Sequence, residues 1–448
     1  MHPVYRSVAQ VLTLTETSSA SLRTFLYRER TRLGTEWPRV YALATETHRW
    51  SHELERILQS AIQQQPKDER RWWHDWLRRP TNHWLARVVV YERCFGRGNL
   101  LRAGGFIARK LKKLLSASTT SCGGSRTNTE EPPSFQQTED NRFFWFRPQV
   151  LGGLDPAAVE RAFPGCVERD LAYPDLIWCF HGDLGAFLSH EWVQRGLLIV
   201  QDRGSCLAAL ALQPQRGWHL IDACAAPGNK SMFLANLLQQ SGMVYAFERD
   251  AERYRAMVSR VRSAGFTQSI RMHLKDFRTV VSDDAHDGAL AQASAILVDP
   301  SCSGSGLVRY RPVGERYNWS RIGRLAAVQI QLLRHALVAF PRVRRVVYST
   351  CSVLIEENEK VVEALLADPF IASRWRLDTV FPAWPHRGLA GCSAAVRIPA
   401  QAAQTRTPLG VSGPRIGAST AEIATAPVTG FSSRSAYFIA AFERRDAQ

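Results

Sequence analysis

Two apolar runs in this sequence end in a thiol. Residues 344–352 read Arg-Arg-Val-Val-Tyr-Ser-Thr-Cys-Ser: Val346, Val347 and Tyr348 have strand character, and the small polar residues after them present Cys351. Residues 295–298 form a second such run, followed directly by Asp299-Pro-Ser-Cys-Ser-Gly-Ser-Gly306, which puts Asp299 and Cys302 at another strand end. In an open α/β sheet, ligands bind beyond the carboxyl ends of the strands, so both thiols and the carboxylate would face a ligand. A cysteine placed there can act as a covalent nucleophile. The same residues also fit two structural roles. Free cysteine is among the most buried residue types, and Cys302 with Cys351 could form a disulfide. The nine cysteines lie between Cys94 and Cys392 with no CxxC pair and no Cys/His cluster at zinc spacing. That usage points to a reducing compartment, away from a disulfide and from any structural metal.

A third stretch has the form of a cofactor site. Residues 218–222, Trp-His-Leu-Ile-Asp, read as a short buried strand; 223–228 is a turn of small residues; 229–240 carries a helical pattern in Phe233, Leu234, Leu237 and Leu238. Small residues let the backbone approach a ligand, and amides at a helix start can bind a carboxylate or phosphate. The turn matches neither GxGxxG nor GxxxxGK, which favours an adenosine-bearing cofactor other than a dinucleotide or a triphosphate. The next strand, 243–247, ends at Glu248, an acid placed either to accept from ribose hydroxyls or simply to be solvated.

These pieces need a sheet to position them. A helix at 251–264, a strand at 269–274 reaching Asp276, the strand ending in Asp299, a helix at 322–340, the strand before Cys351 and a helix at 356–366 continue the β/α alternation. Five parallel strands are thereby accounted for, and the fold class is α/β with a doubly wound sheet, closed by 436–442 as an edge strand. Upstream, 142–200 alternates short apolar runs with turns and reads as a small mixed α/β subdomain; the catalytic domain would then span 201–448. Residues 1–115 read as a helical domain, with Leu54, Ile57, Leu58, Ala61 and Ile62 at helical spacing and Pro66 and Pro80 as punctuation. In it, Trp72, Trp73, Trp76 and Trp84 fit core packing better than base stacking. Arg109, Lys110, Lys112 and Lys113, near a helix end, fit phosphate contacts and a dipole-complementing terminus equally. Residues 116–141 read as a flexible linker and 393–430 as a disordered insertion.

The chain of 448 residues carries a formal charge of +16. Residues 1–115 hold 21 Lys and Arg against 10 Asp and Glu, a concentration that points to a polyanionic partner, of which nucleic acid is the common case. No apolar run approaches the roughly 18 residues that span a bilayer, so no membrane partner is expected. Arg6, Arg23, Arg28 and Arg30 leave a mitochondrial address as an alternative, opposed by Glu16 and Glu29.

Taken together, Asp222-Ala-Cys-Ala-Ala-Pro-Gly-Asn-Lys230, Asp299-Pro-Ser-Cys-Ser-Gly-Ser-Gly306, Tyr348-Ser-Thr-Cys-Ser352 and Glu356-Glu-Asn-Glu359 carry a family resemblance. Gln201-Asp202-Arg203 and Pro382-Ala-Trp-Pro-His-Arg-Gly-Leu389 add to it. From about residue 143 onwards the chain resembles the Nop/Sun RNA cytosine-5 methyltransferases, and most resembles the fifth Sun-domain group, which acts on large-subunit ribosomal RNA. The resemblance implies a Rossmann-like S-adenosylmethionine-dependent methyltransferase domain with 142–200 as an RNA-binding subdomain. It implies Cys351 as the nucleophile, Cys302 as the thiol that assists product release, and Asp299 and Lys230 beside them. S-adenosylmethionine would be held by Cys224, Ala225, Ala226, Pro227, Gly228, Asn229, Lys230, Glu248, Arg253, Asp276 and Asp299, with Glu248 standing where the family usually has Asp. A monomer acting on ribosomal RNA or pre-ribosomes in the nucleolus is expected. An inactive RNA-binding assembly factor, or the same chemistry on tRNA or mitochondrial rRNA, is the alternative.

Overall fold

A computed structural model describes residues 3–17, 22, 25, 26, 29–94, 106–117, 143–149, 154–182, 184–239, 241–282, 289–307, 317–389, 391–398 and 435–445. The expected linker from 118 onwards and the expected insertion from 399 to 430 lie outside them. The chain divides into two compact units, Met1–Gln137 with Arg309–Tyr317, and Thr138–Val308 with Asn318–Gln448.

The first unit is helical: α1 (Pro3–Thr17), α2 (Trp37–Arg49), α3 (Ser51–Gln63), α4 (Lys67–Leu77), α5 (Pro80–Cys94) and α6 (Phe106–Ala117). The spacing read from the sequence buries Leu54, Leu58, Ala61 and Ile62 on one face of α3. Trp73 and Trp84 are buried core residues, and Trp72 and Trp76 are partly buried and stack at 6.1 Å. The basic run at 109–113 stands in the body of α6, not at its end. Lys110 lays its ammonium over the Trp72 ring at 3.7 Å, and Lys113 lies 3.9 Å from Glu69. The first is a cation–π contact and the second an exposed ion pair, so both cations have partners within the helical unit.

The second unit holds two sheets. The smaller is antiparallel, in the order β2-β3-β1-β4, from β1 (Phe143–Pro148), β2 (Val167–Arg169), β3 (Trp178–His181) and β4 (Leu198–Val200). The larger contains β5 (His219–Asp222), β6 (Met243–Glu248), β7 (Ile270–Leu274), β8 (Ala293–Val298), β9 (Arg345–Thr350), β10 (Trp375–Asp378), β11 (Val396–Ile398) and β12 (Tyr437–Arg444). Its order is β10-β12-β9-β8-β5-β6-β7, with β5 to β9 parallel to one another and β12 antiparallel to β9. The helices α7 (Arg203–Leu210), α8 (Asn229–Leu237), α9 (Ala251–Ser263), α10 (Trp319–Val338) and α11 (Glu359–Leu366) cover both faces. Alternation along the strands sorts the side chains: Ala295, Leu297 and Val347 pack with α8 and α9 residues, while Ile296, Val298, Val346 and Tyr348 pack with α10 and α11 residues. This is the doubly wound α/β arrangement expected.

One expectation is corrected. The final apolar run does not close the sheet as an edge strand. β12 pairs with β9 along one side, and with β10 and β11 along successive parts of the other. Its side chains from Tyr437 to Phe442 are buried on both faces, Tyr437, Ile439 and Ala441 in one core and Phe438, Ala440 and Phe442 in the other.

Within this unit, Arg203 ties several segments together. Its guanidinium forms a fully buried ion pair with Asp170, 2.5 Å away, and lies over the rings of Trp145 and Trp384. Asp170 also accepts from the amides of Ala172 and Tyr173, so its lone pairs are satisfied without water. Asp170→Ala leaves a buried guanidinium unpaired and should cost about 3–5 kcal/mol of stability, read as a lower urea midpoint at unchanged m-value.

Candidate active site

The parallel pairing of β8 with β9 sets Val298 beside Tyr348, so the residues that follow the two strands emerge together. Cys302 and Cys351 are free thiols with their sulfurs 3.2 Å apart. Asp299 sits between them and the cofactor turn. Its Oδ1 accepts from the Ser349 hydroxyl at 2.6 Å, and its Oδ2 from Lys230 Nζ, also at 2.6 Å. The Cys351 carbonyl is fixed by the Gly306 amide at 3.0 Å. A Cβ at Gly306 would fall 2.5 Å from the Ala436 carbonyl oxygen, so only glycine lets these backbones approach.

The loops carrying the thiols are held from behind by residues for which the sequence reading proposed no role. Glu357 is wholly buried and accepts from the Ser303 amide (2.8 Å), the Ser303 hydroxyl (2.5 Å) and Gln329 Nε2 (3.3 Å). Asn358, also buried, accepts from Thr350 Oγ1 at 2.6 Å and donates to the Ser352 carbonyl at 3.0 Å. The signal was present in Glu356-Glu-Asn-Glu359, which reads locally as no more than an acidic helix start. The hydrogen bond to Cys351, then burial, then the charges of Cys351 and Glu357 push the Cys302 thiol well above its usual range. Burial acts to lower the pKa of Lys230, but the charge and hydrogen bond of Asp299 outweigh it and the pKa is raised.

The turn from Asp222 to Gly228 lies beside this cluster. Gly228 adopts a left-handed φ of 98° immediately before α8, which glycine does without strain. Ala225 and Ala226 are buried, with Cys224, Pro227 and Asn229 half-buried. Arg253 braces the turn by donating to the Ala226 carbonyl at 2.8 Å. Burial pushes the carboxyl of Asp222 up to about 6, and although Asp222 Oδ2 accepts from Ser231, Oδ1 has no hydrogen-bond partner among the described residues. Glu248, buried at the end of β6, accepts from the Asp250 amide through Oε1, while its Oε2 accepts no hydrogen bond and lies 3.4 Å from the Arg253 guanidinium. Asp276 differs: Arg278 holds its carboxylate at 2.6 Å, and no hydrogen bond joins it to the thiols or the turn. Arg147 on β1, not singled out from the sequence, is fully buried. It donates to Gln201 and to the Asn229 carbonyl, and so joins the small sheet to the start of α8.

Comparison with known proteins gives the family. A family model described as 16S rRNA methyltransferase RsmB/F matches residues 209–380. A 28S rRNA (cytosine-C(5))-methyltransferase of Mus musculus is 34% identical over 420 residues, covering 86% of this chain and 84% of that protein. The chain belongs to the Nop/Sun family of RNA cytosine-5 methyltransferases. A 25S rRNA (cytosine-C(5))-methyltransferase, NSUN5, of Arabidopsis thaliana is 34% identical over 68% of this chain and 55% of its own length. Two solved structures share the fold. The crystal structure of PH0851 is 18% identical with a TM-score of 0.63 over 98% of both chains, and that of NSun6 from Pyrococcus horikoshii with SFG is 15% identical with a TM-score of 0.50 over 79% of this chain and 96% of its own.

The Nop/Sun enzymes use S-adenosylmethionine, and the residues present here fit it. Two buried carboxylate oxygens that accept no side-chain hydrogen bond, on Asp222 and on Glu248, the latter 3.4 Å from the Arg253 guanidinium, border a glycine turn at a helix start. Unpaired buried acceptors are costly, and the hydroxyl and ammonium donors of the cofactor would satisfy them. Glu248→Ala should weaken S-adenosylmethionine binding about 10- to 100-fold by calorimetry, the range for a hydrogen bond to a charged acceptor.

Proposed function

We propose that this chain forms 5-methylcytosine in large-subunit ribosomal RNA, with S-adenosylmethionine as methyl donor. The observation that carries this reading is the pair of free thiols, 3.2 Å apart beside the Lys230–Asp299 ion pair at the ligand-bearing edge of the sheet. An RNA-binding module without chemistry has no use for both. Relatives named for 28S and 25S rRNA support the large-subunit substrate, and that substrate makes the nucleolus the place of action. The basic surplus in residues 1–115 supports binding to a phosphate backbone.

Carbon 5 of cytosine is a poor nucleophile. Cys351 adds to carbon 6, forming a sulfur–carbon bond and giving carbon 5 enamine reactivity, so that covalent catalysis divides one hard step into easier ones. Asp299, fixed by Lys230 and Ser349, accepts a hydrogen bond from the amino group of the base and orients the ring. Bound S-adenosylmethionine supplies the electrophilic methyl group. Cys302 then takes the carbon 5 proton; the electron pair of that bond restores the ring double bond, and the bond to Cys351 breaks. The face of a stacked base is inaccessible to such a thiol, so the target cytosine lies in a loop or is extruded.

Cys351→Ala is expected to abolish methyl transfer. Cys302→Ala is expected to stop at the covalent protein–RNA adduct, seen as a band that survives denaturing electrophoresis; its absence under single-turnover conditions removes Cys302 from release. Bisulfite sequencing of total RNA with and without the protein tests the substrate. Loss of protection confined to tRNA or mitochondrial rRNA would move the assignment there, and absence of S-adenosylmethionine binding would leave a non-catalytic assembly factor.

A further inference from the structure

Two half-buried sulfurs 3.2 Å apart do not both carry a negative charge near neutral pH, because like charges at that distance disfavour double ionisation. The pair therefore keeps at least one proton, and once it has lost the other its surroundings decide which sulfur holds the one that remains. The charged and titratable groups facing it are Lys230 on α8, Asp299 after β8, Tyr348 on β9 and Glu357 before α11. They are not distributed evenly. Lys230 acts on Cys351, and its partner Asp299 is bound to it directly. Glu357 acts on Cys302: its carboxylate accepts from the amide and the hydroxyl of Ser303, the next residue in the chain.

We propose that Glu357 is a positioning residue that sorts the proton between the two thiols: by holding the Cys302 loop and presenting a buried negative charge to it, Glu357 keeps the proton on Cys302 and leaves the negative charge on Cys351. The assignment rests on the reading of Cys351 as nucleophile and supplies a physical reason why, of two neighbouring cysteines, that one attacks. It also closes the proton balance. When Cys351 becomes bonded to carbon 6, its charge disappears, and with it the acceptor that held the proton on Cys302. That proton passes through solvent to nitrogen 3 of the ring. Cys302, now a thiolate, is the base that later takes the carbon 5 proton. Expulsion of Cys351 as thiolate returns the pair to its starting state, and nitrogen 3 releases its proton to water.

The test uses the full chain without RNA or cofactor. Wild type and Glu357→Gln are treated with limiting iodoacetamide from about pH 6 to about pH 10, and labelling at each cysteine is mapped by peptide mass. A glutamine can accept through its oxygen from the Ser303 amide and from Gln329, and donate to the Ser303 hydroxyl, so it removes the charge while keeping the contacts. In the wild type, Cys351 should be labelled about tenfold faster than Cys302 near pH 7.5. In Glu357→Gln that preference should fall at least about threefold, with Cys302 labelling beginning at lower pH, and Glu357→Asp should recover the wild-type order. An unchanged ratio and pH dependence in folded Glu357→Gln, or an equal rise in labelling at all cysteines, overturns the proposal. If Glu357→Gln does not fold, the wild type alone decides: Cys302 reacting first overturns it. Because no methyl transfer is measured, an enzyme inactive on RNA would refute the proposed function and leave this assignment standing.

Discussion

The parallel ladder between β8 and β9 is the constraint on which the site depends. Val298 beside Tyr348 is its last pair, and Asp299 and both thiols follow within four residues of it on one strand or the other. A slip of one residue would turn Ile296 and Val298 from the face they share with Val346 and Tyr348, and would carry Asp299 away from Ser349. The register is specified because both faces are buried. Leu297 and Val347 are committed to one core while their neighbours are committed to the other, so the apolar pattern that folds the sheet also brings the two sulfurs together.

Around that ladder the polar groups fall into two classes. Some are fully matched: Asp299 by Lys230 and Ser349, Asp170 by Arg203 and two amides, Glu357 by three donors. These lock loops at little risk, because a buried network is sound when each member is satisfied. Others keep an oxygen that accepts no hydrogen bond, namely Asp222 and, 3.4 Å from Arg253, Glu248, both beside the glycine turn. At the glycine turn the open acceptors lie where the donors of a ligand could close them.

What the sequence made legible, and what it did not, follows the range of the interactions involved. Cys302, Cys351, Asp299 and the turn before Lys230 each end an apolar strand, and position at a strand end is a local property readable from a few residues. The five parallel strands were legible for the same reason. β12 was misplaced at the edge because its outer partners, Trp375–Asp378 and Val396–Ile398, are too short to announce themselves by alternation. Asp276 looks like any other acid at a strand end until Arg278, two residues on, is seen to hold it. Arg147, Glu357 and Asn358 escaped notice because their side chains are defined by partners that only the fold brings near. Arg147 meets the carbonyl of Asn229, and Glu357 meets Ser303.

Residues 357–359 show how much three consecutive positions can organise. Glu357 binds the Cys302 loop, Asn358 binds the Cys351 loop, and Glu359 pairs with Arg397 while accepting from the Leu389 amide. Asn358 occupies the N-cap position of α11, yet its side chain makes no capping bond there; both ends of its amide are committed to Thr350 and Ser352. An asparagine at that place would ordinarily satisfy helix amides, so helix stability is forgone for loop position. The same short segment therefore couples the separation of the two sulfurs to the placement of the Pro382–Leu389 motif, whose Trp384 ring lies by Arg203. A motif that looks like charge in the sequence acts in the fold as a three-way clamp, and it holds both of the loops that carry the paired thiols.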